Sequence, residues 1–287
     1  MSGSADILLA SAIAIAILMF SMWLLSLALK NASIVDIVWG LGFVVVAWVT
    51  HSVADGNESR GWLLTLLTTA WGLRLASYLA WRNIGHGEDF RYKAMRKHYG
   101  AKFPLVSLFT VFILQGVLMW LVSLPVQLGQ VSMNPSIGVL GVVGIMFFVV
   151  GLFFETVGDI QLARFKANTA NAGKVMQSGL WKYTRHPNYF GDACVWWGLA
   201  LIAAEAEIGV VGILGAAAMS ILLRRVSGVT LLEKSLKKRK EGYNDYVART
   251  SAFIPRPPKR FKNEMQQRLQ QDRCVGHRHV RGQQKYA

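Results

Sequence analysis

Cysteine, acidic residues and nucleotide-binding glycine patterns are all scarce or missing in this chain. Its two cysteines, Cys194 and Cys274, sit in an apolar run and in the tail, and give neither a disulfide framework nor metal-ligand spacing. Cys274, His277 and His279 have no fourth ligand nearby, so no metal site is expected. No Gly-x-Gly-x-x-Gly, no phosphate-binding loop and no strand-rich region occurs, which excludes a Rossmann cofactor domain as far as pattern can. There is no internal repeat and no stretch that reads as a soluble domain. The N-terminal apolar stretch lacks a basic leader and a small-residue cleavage pattern, so it reads as a retained span.

What the chain has in abundance is hydrocarbon. It is 53% hydrophobic and 16% charged over 287 residues, with positive mean hydropathy, the composition of a membrane protein. The net charge of +15 is unevenly spread: of 31 Lys and Arg residues, 17 lie from Arg224 onward, 6 between Arg82 and Lys102, and 5 between Arg164 and Arg185. A nucleic-acid binder would not alternate basic loops with long apolar runs, so no nucleic-acid partner is expected.

Apolar windows place spans near Ile7–Leu29, Ile34–Val53, Gly61–Trp81, Leu105–Leu128 and Ile137–Val157, with shorter ones near Ala193–Ala204 and Ile208–Leu223. The expected fold class is therefore all-α, a polytopic bundle of about seven transmembrane helices. The positive-inside rule puts the loops at 82–104 and 158–189 and the C-terminus in the cytoplasm, and the N-terminus outside. Residues 1–261 form the membrane-embedded domain, and 262–287 a basic, disordered tail. Two amphipathic surface helices are expected, one over 87–102 ended by Gly100, the other over 228–250 with Leu232, Leu236, Tyr243 and Tyr246 as apolar marks.

Polar groups inside or beside such spans mark function. The richest set is Gly179–Asp192, with Lys182, Arg185, His186, Asn188, Tyr189 and Asp192 immediately before an apolar run. Burying such groups is costly unless something polar and anionic binds there. Beside them lie Glu155, Asp159, Gln161, Arg164 and Lys166. Arg164 and Lys166 with Arg185 and His186 form a cationic surface suited to phosphates through charge-assisted hydrogen bonds; attraction to anionic headgroups is the competing reading, and it accounts for Lys174 and Lys182. A second set is Asp36 on the second span with Arg74 and Tyr78 on the third. Asp36 is either protonated or paired, and Arg74 at similar depth is a candidate partner. An acid, a cation and a phenol together suit polarising a carbonyl, or else form a structural salt bridge.

Gly179–Asp192 followed by Trp196-Trp197-Gly198 resembles the steroid 5-alpha-reductase-like membrane proteins, and within them the DUF1295 branch. The likeness extends to Val35–Gly40, Trp71–Leu75, Gly87–Tyr92, Gly158–Leu162, Leu231–Lys234 and Ile254-Pro255. It implies a multi-span helical reductase that holds NADPH at the cytoplasmic side and transfers hydride to an activated C=C bond of a steroid or other lipid. Carried over by motif, the implied cofactor contacts are Asp159, Lys166, Arg185, Asn188, Tyr189, Asp192, Tyr243, Tyr246 and Arg249, with Trp196 and Glu233 beside them; Arg164 and His186 join the phosphate-holding cations. In the catalytic corner the family's Glu and Tyr fall on Asp36 and Trp71. An indole donates a hydrogen bond but is no proton-transferring acid, so either Tyr78 takes that part or the substrate differs. The isoprenylcysteine carboxyl methyltransferases carry a similar Arg-His-Pro-x-Tyr segment and use S-adenosylmethionine, which leaves methyl transfer as an alternative and a non-catalytic lipid-binding protein as another. The resemblance implies a hydrophobic lipid or steroid partner from the bilayer and points to no particular protein partner.

Overall fold

A computed structural model of the chain describes residues 3–55, 58–131, 137–226 and 239–259, together with Val229, Glu233, Leu236 and Lys237. The expected tail over 262–287 and the apolar mark at Leu232 lie outside the described residues. Among the described residues the regular structure is helical; an isolated parallel bridge joins Thr184 and Ser251.

Among the described residues, six helices are long and apolar enough to cross a membrane: Ser4–Ala28, Ile34–Val53, Glu58–Asn83, Phe90–Val122, Val139–Ala167 and Ile208–Arg225. The chain is an integral, multi-pass membrane protein of the all-α class. The remaining expected span is a 17-residue helix, Pro187–Ala203. At 1.5 Å per residue it reaches about 25 Å, short of the roughly 30 Å of hydrocarbon. From Gly191 onward its side chains are mostly buried in protein, with Val195, Trp196, Leu199, Ala200 and Ile202 fully so. Hydropathy reads apolarity without saying whether lipid or protein receives it.

The chain divides into two compact units, Met1–Phe153 with Gly191–Val226, and Phe154–Phe190 with Ser227–Ala287. In the first, helices meet backbone to backbone. A Cβ on Gly40 would lie 2.5 Å from the Gly72 carbonyl oxygen, and one on Gly72 would lie 2.6 Å from that of Gly40, so only glycine permits the second and third spans to touch here. Gly144 and Gly198 repeat the device, each leaving 2.6 Å for a Cβ against the other's carbonyl oxygen. The core of this unit holds Phe43, Leu64, Trp71, Met119, Trp196 and Leu199.

The expected surface helix over 87–102 begins at Phe90, where Asp89 caps it by accepting from the Arg91 N–H at 2.9 Å. Gly100, at φ 53°, marks a tight turn, after which the helix continues into the fourth span. The basic helix expected over 228–250 is not continuous. Gly242 takes φ 73°, a left-handed conformation that costs glycine little, and a new helix runs from Tyr243 to Arg249.

In the second unit, polar atoms fix the chain. The Trp181 indole N–H donates to the Gly158 carbonyl at 3.1 Å, the Leu180 N–H to the Gln161 side-chain oxygen at 3.0 Å, and the Thr184 hydroxyl to the Phe253 carbonyl at 2.8 Å. The Tyr246 hydroxyl donates to the Trp181 carbonyl.

Candidate functional site

Pro187 opens its helix, where a missing N–H costs nothing and the ring's fixed φ suits the first turn. The residues just before and after it therefore come together at a helix start. Arg185 is 8% exposed, and two of its three nitrogens donate within the protein. Nε donates to Glu233 Oε1 at 2.8 Å, while one terminal nitrogen serves the carbonyls of Val247, at 3.1 Å, and Thr250. Its backbone N–H donates to the Ser251 carbonyl at 2.9 Å. Arg185 thus forms a clasp within the unit: its charge is met by a carboxylate, and one arm of its fork by main-chain oxygens.

His186 shares that carboxylate, with Nε2 at 3.1 Å from Glu233 Oε1. A carboxylate only accepts, so Nε2 carries the hydrogen. The ring stacks on Tyr189, with centroids 5.4 Å apart and planes 5° from parallel. Burial alone would raise the Glu233 carboxyl. The hydrogen bonds from His186 and Arg185, with their charges, outweigh it and hold the group at about 2. Tyr243 and Tyr246 pack edge to face nearby. Burial, then the Glu233 charge, pushes the Tyr243 phenol up to about 12, and burial pushes Tyr246 up as well.

Asn188 donates from Nδ2 to Asp159 Oδ1 at 3.2 Å, and Asp159 is buried with Glu155 one turn before it. Arg164 and Lys166, in the last turn of the Val139–Ala167 helix, are exposed. Arg249 lines a different part of the unit, a cavity it shares with Lys182 and Lys259. Sequence reasoning assigned no cofactor role to those two lysines; a surface lysine carries no residue-type signal of what it faces.

Asp192 and Trp196, also expected at the cofactor, belong to the first unit. Trp196 is fully buried against Phe43, at 4.7 Å between centroids, and Trp71, at 5.2 Å and 85°. Trp71 is equally buried, so the indole in the family's tyrosine position is a core side chain.

Asp36 has both oxygens taken. Arg91 Nη2 donates to one at 2.7 Å and the Tyr92 hydroxyl to the other at 2.8 Å. The partner foreseen for it, Arg74, lies with its guanidinium 5.6 Å from the Tyr78 ring centroid. Arg91 and Tyr92 belong to the Gly87–Tyr92 stretch that carried the resemblance, but sequence gave them no part beside Asp36. Two further bonds hold that stretch against the turn before the second span: the Ala32 N–H donates to Glu88 at 2.9 Å, and the Asp89 N–H to the Ser33 hydroxyl at 2.6 Å.

Among known proteins, the chain is 23% identical to an uncharacterized protein of the fission yeast Schizosaccharomyces pombe, over 82% of this chain and 76% of that one. It is 38% identical to a probable O-methyltransferase of Ustilaginoidea virens over 81 residues, 28% of this chain and 27% of that one. No solved structure matches. Residues 22–250 match the family described as a protein of unknown function, DUF1295, and the chain belongs to that family.

Proposed function

We propose that this protein is a membrane reductase that uses NADPH to reduce an activated carbon–carbon double bond of a steroid or other lipid of the enone type. The observation that carries the reading is the convergence, in the second unit, of polar side chains from three separated stretches. Asp159, the Arg185–Tyr189 segment, and Glu233 with Tyr243 and Tyr246 come together in an otherwise apolar chain. Even paired, buried charges gathered this way carry a desolvation cost, and a polar cofactor beside them offsets it.

The donor set fits such a cofactor. Asp159 is a carboxylate of the kind that accepts from ribose hydroxyls, and the exposed Arg164 and Lys166 supply the charge that phosphates need. Arg185, with His186 and Glu233, keeps the frame in shape. NADPH, when bound, supplies the hydride. In the first unit, the Tyr78 phenol is the donor for a substrate carbonyl as negative charge develops on its oxygen, while the Trp71 indole, fully buried, packs the wall behind it. Arg74 orients Tyr78. Asp36 acts through Arg91 and Tyr92, which hold both its oxygens. The apolar spans admit a hydrophobic substrate and exclude water.

Methyl transfer from S-adenosylmethionine is the second reading, favoured by the partial likeness to a probable O-methyltransferase. Titrating the purified protein with each cofactor while following tryptophan fluorescence separates the two. Quenching by NADPH without response to S-adenosylmethionine supports reduction. The reverse result sinks it in favour of methyl transfer, and silence to both leaves a lipid-binding protein without a cofactor.

A further inference from the structure

The third span ends at Asn83, and the chain re-enters helix at Phe90. Residues 84–100 form a strap with a glycine near each end in a conformation that other residues rarely adopt. Gly85 has φ 85° and Gly100 φ 53°. No atom of the described residues lies within 4 Å of where a Cβ on either would sit. Both ends can therefore change direction without disturbing any packing, which is what a hinge requires.

The strap has little apolar hold. Of the ten residues in its helix, Phe90–Tyr99, only Tyr92 is buried. The hydrogen bonds that tie it to the second span fall on one short stretch, residues 32–36. Glu88 is central to them: it accepts from the Ala32 N–H at 2.9 Å and from two nitrogens of Arg96, at 2.8 and 3.1 Å. The Asp89 N–H donates to the Ser33 hydroxyl at 2.6 Å. Arg91 bridges Asp89 and Asp36, at 2.9 and 2.7 Å, and the Tyr92 hydroxyl completes the set on Asp36 at 2.8 Å. Burial alone would raise the Glu88 and Asp89 carboxyls. Hydrogen bonds from Arg96 to the first and from Arg91 to the second outweigh it and hold both below the usual carboxylate range.

The arginines in this set are partly exposed, 34% for Arg96 and 52% for Arg91, and ion pairs open to water contribute little. One buried tyrosine also holds far less than the packing of whole spans. A segment fixed in this way opens before the rest of the structure unfolds. Because its bonds to the second span fall within five residues, they part together.

We propose that residues 84–100 are a lid, hinged at Gly85 and Gly100 and latched by Glu88, Arg91 and Tyr92, whose opening admits water and polar ligands to Asp36 at the start of the second span. The device does not rest on the reductase reading, since it governs access to this end of the unit whatever reaction follows.

Thiol labelling of the full chain in detergent, with a charged, water-soluble maleimide, tests this. Ser33→Cys places the reporter under the strap at a position 4% exposed, Cys274→Ser removes the tail thiol, and Cys194, 8% exposed in the same unit, is the internal control. The reporter is expected to react well below the rate of a free thiol. Glu88→Ala, which releases Ala32 and Arg96 together, should speed it about tenfold or more, with Cys194 labelling and melting temperature unchanged. Arg96→Gln gives the same reading at smaller amplitude if Glu88→Ala melts early. A reporter that stays as slow in both variants overturns the proposal, because a fixed seam behaves that way. Equal acceleration at Cys194 overturns it too, as general loosening, and so does a reporter that already reacts like a free thiol with the latch intact.

Discussion

In the first unit Gly40 lies on Gly72 and Gly144 on Gly198, and the contacts between helices are contacts of shape. In the second, Arg185, His186 and Glu233 hold one another, and the chain is fixed by donors meeting acceptors. The two kinds of contact fail differently. Adding a methyl where backbones touch forces helices apart by a little, and the loss is graded. Removing one partner from a buried charge leaves the other uncompensated, and the loss is abrupt. The unit held by buried charges thus has the least tolerance at its centre.

The largest expected effect follows from that asymmetry. Arg185→Ala strips Glu233 and two carbonyls of their donor and should cost about 3–5 kcal/mol, read as a marked fall in melting temperature with loss of folded protein. A selective binding defect at unchanged melting would return Arg185 to the phosphate contacts and break the contrast between the units. Gly72→Ala places a Cβ 2.6 Å from the Gly40 oxygen and should cost about 1–3 kcal/mol; unchanged melting would mean that the spans part freely. Arg91→Gln removes one partner of Asp36 from a pair whose arginine is 52% exposed, so the loss should stay under about 1 kcal/mol. A larger drop would place Asp36 in the abrupt class.

Acid sharpens the comparison. Glu233 is lowered from 4.5 to about 2, so the stability it contributes is present above about pH 4.5 and is lost as pH falls from there toward 2. A melting-temperature series across that window should slope downward in the native protein and flatten there in Glu233→Gln.

The spans were readable because hydropathy and length need no partner to be recognised. The helix over Pro187–Ala203 was read as apolar, but its burial was not readable, since Val195 and Leu199 look the same facing lipid or protein. The polar set at 159, 186, 188 and 233 was reachable through motif. What Arg185 does with its charge was not, because two of its acceptors are main-chain oxygens at Val247 and Thr250, which any residue type would offer. The attachment of Arg91 and Tyr92 to Asp36 joins positions 55 and 56 residues apart, a closure that no local pattern encodes.

The Arg185 clasp also measures chain. One guanidinium grips a carboxylate at 233 and carbonyls at 247 and 250, so it sets how much polypeptide fits between those points. Within that stretch the left-handed Gly242 is where direction changes. An insertion or deletion there would be registered at a side chain more than fifty positions earlier in the sequence. The clasp therefore acts as a ruler, and length between Glu233 and Thr250 should vary less among sequences built on this plan than the identity of the residues that fill it.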